Sequence, residues 1–334
     1  MKAVVLPDYN ANVIRAMRSL QVKEMDIPGP VSNQVLIKVA SAPCNPSDIA
    51  FMRGGYNIKK PVPVVMGFEC TGTVVETGND PEAVKLLGKR VSCYSQGMEN
   101  GTWAEYFMTG YRNCLTVRDE LDDDQAAALC INPFTAFALF NMALLKKANA
   151  IIQNGSSGQI GIFIRTLAKS RRIPVINLVR KEEHILALKE AGEKFVLNMN
   201  EPEFENNLKA VALGHNATIA FDAVAGDTSG LILSAMPPGS ELVIYGGLSG
   251  KAIGQINPLE IIFKAKTVRG FNLGDWKIEI GDKKFELVSD QLQELMIKRV
   301  LVTRIQCSYS LDQVQPALDQ YIRNMSSGKI LFQP

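Results

Sequence analysis

Residues 154–161, Asn-Gly-Ser-Ser-Gly-Gln-Ile-Gly, stand between a strand-like apolar run, Ala150 to Gln153, and a helix-like segment that runs on from Ile162. Small residues at such a junction can form a plain turn. They can also bare backbone amides and the positive end of a helix dipole to a pyrophosphate. Ser156 sits where the first glycine of a G-x-G-x-x-G motif would be, followed by Gly158 and Gly161. The motif is weak in isolation, and its place between a strand and a helix is what makes it a dinucleotide loop. Ser156 and Ser157 add hydroxyls able to donate to phosphate oxygens, while Gln159 and Ile160 complete the run of amides.

The next strand reads Ile176-Asn177-Leu178-Val179 and ends at Arg180, followed by Lys181. An acid at that point would accept from the hydroxyls of a bare ribose, whereas an arginine can fork onto a 2′-phosphate. The expected coenzyme is therefore NADPH rather than NADH. Reduction of an enone or enoyl thioester by hydride puts charge on an oxygen and requires a proton donor nearby. Tyr56, after Gly54 and Gly55, is the candidate, because a phenol stays protonated at neutral pH. His184 reads as a surface residue. Lys59 and Lys60 read as a solvated loop or as a rim charge for an anionic acyl carrier.

These residues need two kinds of scaffold. Up to about residue 120, short strand signals are separated by glycine and proline: 34–40, 71–76, 90–94, 102–108 and 114–117. They predict a mostly β, barrel-like domain over 1–122. Asp122-Asp123-Asp124 then opens a helix, as capping and dipole arguments require. Over 123–272 strands and helices alternate, with strands at 150–153, 174–179, 195–198, 218–222, 241–245 and 267–270. That alternation predicts an α/β fold, a Rossmann-type doubly wound parallel sheet covered on both faces. The tail, 283–334, holds two helices and two short strands, 301–307 and 329–332, and 273–334 is read as completing the first domain.

Composition narrows the function classes. With 36 basic and 34 acidic residues and no basic block, nothing supports a nucleic-acid partner. The uncharged stretch 126–145 is long enough for a membrane span, but Asn132-Pro133 interrupts it, so a buried helix pair is expected. Six cysteines without Cys-x-x-Cys spacing predict free thiols and a reducing compartment. Cys44, Cys70 and Cys130 lie near motif segments and are expected to be buried and inert. No export or targeting segment is read, which points to the cytoplasm with an organelle matrix left open.

Taken in order, Asn45-Pro46-Ser47-Asp48, Gly54-Gly55-Tyr56, Pro63 to Gly67 with Glu69, Gly72 to Gly78, Asn132 to Thr135, the glycine loop, Asp222-Ala223-Val224, Tyr245-Gly246-Gly247 and Gly328-Lys329 form an ordered set. The set resembles the medium-chain dehydrogenase/reductase superfamily, in its zinc-independent quinone oxidoreductase and 2-enoyl thioester reductase branches. The resemblance implies a GroES-like catalytic domain beside the Rossmann domain. It also implies that Asn45, Thr135, Tyr245, Gly246, Gly247 and Phe271 line the coenzyme, that Tyr56 is catalytic, and that homodimers form through the strand at 267–270. Zinc-dependent relatives carry cysteine and histidine ligands at the positions that look like Asn45 and Phe68, so no metal is expected. Asn272 replaces an aromatic that the enoyl reductase branch usually has after the phenylalanine. The function implied is NADPH-dependent reduction of an activated C=C bond, a 2-enoyl thioester first. A quinone or small enone is the alternative acceptor, and a non-catalytic NADPH-binding protein is the alternative of another class.

Overall fold

The alternating half folds as its pattern predicts. Six strands line up in the order Phe195–Asn198, Val175–Val179, Ile151–Gln153, Ile219–Asp222, Glu241–Ile244 and Thr267–Gly270, and every neighbouring pair is parallel. The two central strands, Ile151–Gln153 and Ile219–Asp222, are buried at every residue, as expected of a parallel sheet with both faces covered. The chain leaves the first strand toward one edge and returns on its other side. The carboxyl ends of Ile151–Gln153 and Ile219–Asp222 therefore bound a topological switch point, the usual crevice for a nucleotide in such sheets.

The computed structural model describes residues 1–334. They form two units, one of Met1–Pro133 with Glu286–Pro334, the other Phe134–Phe285. These seams lie one short helix further along the chain than positions 122 and 272. Those positions are instead helix N-caps, where the side chains of Asp122 and Asn272 accept from the amides of Gln125 and Asp275. Asn272 thus has a local structural role in place of an aromatic.

In the first unit, strands Ile305–Tyr309, Lys329–Phe332, Gln34–Pro43, Glu69–Thr77, Arg90–Tyr94 and Cys114–Thr116 follow one another across a sheet, with Tyr106–Gly110 also paired to Gln34–Pro43. A second, three-stranded sheet joins Gln21–Glu24, Lys2–Leu6 and Val64–Val65. The core is aromatic, with Trp103, Phe51, Phe68, Phe107 and Phe332 essentially inaccessible. Two strand expectations shift. The segment 101–103 is held by backbone bonds to 65–67, so its strand begins only at Tyr106. Thr303 is clamped by the Gln125 amide in both directions, and the tail strand starts at Ile305. The stretch 126–145 is split between helices Asp123–Ala127 and Asn132–Leu145, and no helix is long and apolar enough to cross a membrane.

Candidate active site

Gln153 ends the first parallel strand and the chain turns sharply, with Gly155 at φ +60°. Helix Gln159–Ser170 then begins with Gly158 as N-cap, and no side chain caps its first amides. A Cβ on Gly161 would lie 2.7 Å from the Ser156 carbonyl oxygen, and one on Gly158 3.1 Å from that of Gly155. Glycine is therefore demanded by close packing of the turn, which leaves an open helix start facing the carboxyl edge of the sheet. The turn is fastened from below. Gln153 Nε2 donates to Gly161 O and to Asn177 Oδ1 at 3.2 and 2.9 Å, and Arg165 donates to Ser156 O while pairing with Glu193 at 3.3 Å.

The two loop serines differ. The Ser156 hydroxyl is buried and donates inward to Gln153 O at 2.9 Å, so it is not free to donate to a phosphate. Ser157 instead places its hydroxyl 3.2 Å from His184 Nδ1. His184 is thus only partly a surface residue, because its ring reaches the glycine loop from the first turn of helix Glu182–Glu190. Arg180, immediately after strand Val175–Val179, is exposed and makes no ion pair. Glu183 pairs instead with Lys181 at 3.3 Å.

The remaining expected residues of this unit gather mostly at the same edge. Tyr245 follows strand Glu241–Ile244 and donates its amide to Asp222 O; Phe271 follows Thr267–Gly270 and donates to Ile244 O. Burial holds the Tyr245 phenol above its ordinary range, with Asp222 adding to it. A Cβ on Gly246 would sit 2.7 Å from Ala223 O, while Gly247 is exposed. Thr135 is buried in helix Asn132–Leu145. Sequence reasoning missed the lock that shapes this edge. Asp222 accepts from Asn154 Nδ2, Ser229 Oγ and the amides of Val224 and Ala225 at 2.6–2.8 Å, and Asn154 Oδ1 accepts from Ala223 N. These bonds tie the ends of two adjacent strands together.

In the first unit Tyr56 packs on Phe68, with ring centroids 5.6 Å apart, and Phe68 packs edge-on against Phe51 at 5.2 Å. Gln96 donates to the Tyr56 hydroxyl oxygen, which leaves the phenolic proton available to another acceptor. Burial pushes the Tyr56 pKa up; hydrogen bonds from Gln96 and Tyr94 partly offset this and the Asp48 carboxylate reinforces it. The phenol is protonated at neutral pH. Lys60 is buried, unlike a solvated or rim lysine. Its ammonium donates to Glu99 O at 2.6 Å and lies over the rings of Phe51 and Phe68, where desolvation lowers its pKa.

Asn45 caps helix Pro46–Met52 and is buried with both ends of its amide engaged. Nδ2 donates to Glu69 Oε2 at 3.1 Å and Oδ1 accepts from the Lys329 ammonium. Glu69 also accepts from Ile131 N at 2.9 Å, and Asp48 from Asn45 N at 2.7 Å. Burial lifts both carboxyls to about 7, against the pull of Lys329. The position that looks like a zinc ligand thus holds an amide beside a buried ammonium, Phe68 is part of an aromatic stack, and no group of three His, Cys, Asp or Glu side chains is arranged to hold a metal. All six cysteines are free, with Cys44, Cys70 and Cys130 buried.

Comparison with known proteins gives the family and the fold. Residues 31–119 match the family described as alcohol dehydrogenase GroES-like domain, and residues 160–293 that described as zinc-binding dehydrogenase. The chain is 30% identical over 297 residues to the mitochondrial enoyl-[acyl-carrier-protein] reductase of Bos taurus, covering 86% of this chain and 78% of that protein. A crystal structure of a candidate NADPH:quinone reductase from Mesorhizobium loti superposes with a TM-score of 0.93 at 30% identity, over 100% of this chain and 98% of that one. A mutant form of enoyl thioester reductase from Candida tropicalis shares the fold at 21% identity, with a TM-score of 0.77 over 100% and 99% of the two chains.

Proposed function

This chain belongs to the zinc-independent type of the medium-chain dehydrogenase/reductase superfamily and is an oxidoreductase; from that premise we propose that it uses NADPH to reduce an activated C=C bond, a 2-enoyl thioester first. The observation that carries the reading is an open, glycine-lined helix start on the same sheet edge as an unpaired Arg180 guanidinium. The amides of 157–161 would hold the pyrophosphate and Arg180 the 2′-phosphate. Tyr245, Gly246, Gly247, Phe271 and Thr135 would line the rest of the coenzyme site. When bound, NADPH supplies the hydride that reduces the β-carbon of the acceptor.

The protein's own chemistry is then proton delivery. Tyr56, with its oxygen already accepting from Gln96, donates its proton as charge develops on the acyl oxygen or α-carbon. Gln96 holds the phenol in place, and Phe68 fixes the plane of its ring. A quinone or small enone is the second acceptor class, favoured by the likeness over the whole chain to the Mesorhizobium loti protein. Unpaired thiols fit a reducing compartment, cytoplasm or organelle matrix. A homodimer through the open edge of Thr267–Gly270 is supported by the exposed Ile262 and Phe263 of the adjoining helix Pro258–Lys264.

The test is NADPH oxidation with crotonyl-CoA and with a naphthoquinone, for the native chain and Tyr56→Phe. The reading expects enoyl reduction to fall at least about tenfold in the variant, as for loss of a general acid. Unchanged turnover removes Tyr56 from proton transfer, and coenzyme binding without oxidation of any acceptor removes the reductase reading.

A further inference from the structure

His184 stands where three parts of the proposed coenzyme site meet. It lies four residues past Arg180, in the first turn of helix Glu182–Glu190, and its Nδ1 is 3.2 Å from the hydroxyl of Ser157 in the glycine loop, 27 positions away in sequence. Its other ring nitrogen, Nε2, is 3.7 Å from Glu183 Oε1. The charged groups bearing on the ring are Glu183 and Lys181, with Arg180 at the preceding strand end.

The ring's protonation state decides what the serine can do. With the imidazole neutral and its proton on Nε2 toward Glu183, Nδ1 is an acceptor and the single Ser157 O–H is committed to it. With the imidazole protonated, Nδ1–H becomes the donor and Ser157 Oγ the acceptor. The hydroxyl proton is then released to turn toward an anion on the open side of the loop. A cation is also added beside Arg180 and Lys181.

Resting on the coenzyme reading above, we propose that His184 and Ser157 form a proton-linked pair that tunes binding of the coenzyme's phosphate oxygens. Protonation of His184 turns Ser157 from a donor to the ring into a donor to phosphate, and by linkage a bound phosphate raises the proton affinity of His184. Burial and Lys181 hold the free imidazole below its ordinary range while Glu183 opposes them, so the free protein near neutral pH holds the serine inward and phosphate binding draws a proton in.

Only two histidines occur in the chain, His184 and His215, so their Cε1–H resonances can be followed by proton NMR from about pH 5 to about pH 8, across the usual histidine range. His184→Asn assigns the signals. Saturating NADP+ is expected to raise the His184 midpoint by about one pH unit, the size expected of a nearby charge, and to leave that of His215 in place. The same rise with NAD+ locates the contact at the pyrophosphate; a rise with NADP+ alone locates it at the 2′-phosphate. In Ser157→Ala the response should persist through charge but shrink, and the affinity for NADP+ should depend less on pH. A His184 midpoint unmoved by NADP+ that binds, as read from the dissociation constant in the same samples, overturns the pairing and leaves the coenzyme reading standing. Absence of any NADP+ binding overturns both.

Discussion

The glycine loop and the Asn45–Lys329 cluster show two ways of preparing a polar site. In the loop the polar groups are backbone amides at an uncapped helix start, and the nearby side chains, Gln153, Asn177, Arg165 and Glu193, brace the turn from beneath. In the cluster the polar groups are charged side chains buried together, an ammonium and a carboxyl joined through the Asn45 side-chain amide and a second carboxyl on the Asn45 backbone N–H. The first arrangement is vulnerable to added volume. The second is vulnerable to lost charge, because an unpaired buried ion costs more than the pair returns.

The largest effect is expected where charge is removed. Lys329→Met leaves Glu69 and Asp48 without their cation, and breaking a buried ionic group in this way costs about 3–5 kcal/mol. The pH dependence has a definite sign. In the native chain burial pushes the Glu69 and Asp48 carboxyls up to about 7, from ordinary values of 4.5 and 3.8. The folded state therefore keeps protons that the unfolded chain releases. Stability from these groups is fully present below the unfolded pKa values and is lost as pH rises through about 7. Lys329, whose pKa burial lowers, acts in the opposite sense at higher pH, toward its ordinary 10.5. In Lys329→Met the carboxyls have more reason to stay protonated, so the loss in melting temperature should be much larger at about pH 8 than at about pH 5.5. A loss equal at both would show that charge is not what the cluster balances.

Gly161→Val probes the opposite vulnerability. Its added carbon meets Ser156 O at 2.7 Å and Ser156 Cα at 2.9 Å, and neither backbone atom can move without opening the turn. Overpacking of this kind costs about 1–3 kcal/mol, so NADPH affinity should fall about tenfold or more with little dependence on pH. Affinity that survives while the protein melts as before would mean that the amides do not grip the coenzyme. Gly161→Ala, with no further carbons to place, should fall between the two.

The same contrast explains what sequence could and could not reveal. Gly155, Gly158 and Gly161 are local in the chain and have a steric reason that fixes their identity, so the turn was legible. The alternating strands were legible because short, mostly apolar runs recur between helical segments. Asn45 and Lys329 lie 284 positions apart, and nothing in either neighbourhood says that an amide and an ammonium will meet. The Asn154–Asp222 lock, 68 positions apart, was hidden for the same reason. His184 looked like a solvated helix residue because its partner, Ser157, comes from another turn. Lys60 carried no signal of burial, since its fate depends on Phe51 and Phe68 arriving from other segments.

The smallest expected effect belongs to Arg180, and it sharpens the comparison most. Its guanidinium is exposed and unpaired, so its removal disturbs no buried charge and no packing, and the melting temperature should stay put. A solvent-screened contact to phosphate is weaker than a buried one, so Arg180→Ala should raise the Michaelis constant for NADPH only several-fold. The effect should fade with added salt, and the constant for NADH should hardly change. Equal rises for the two coenzymes would mean that the arginine acts on a group both share, the pyrophosphate, and selection of the phosphorylated form would then pass to Lys181 or the Ser157–His184 pair. The ratio of the two constants, rather than either alone, therefore decides whether this edge of the sheet discriminates through a side chain or grips through its backbone.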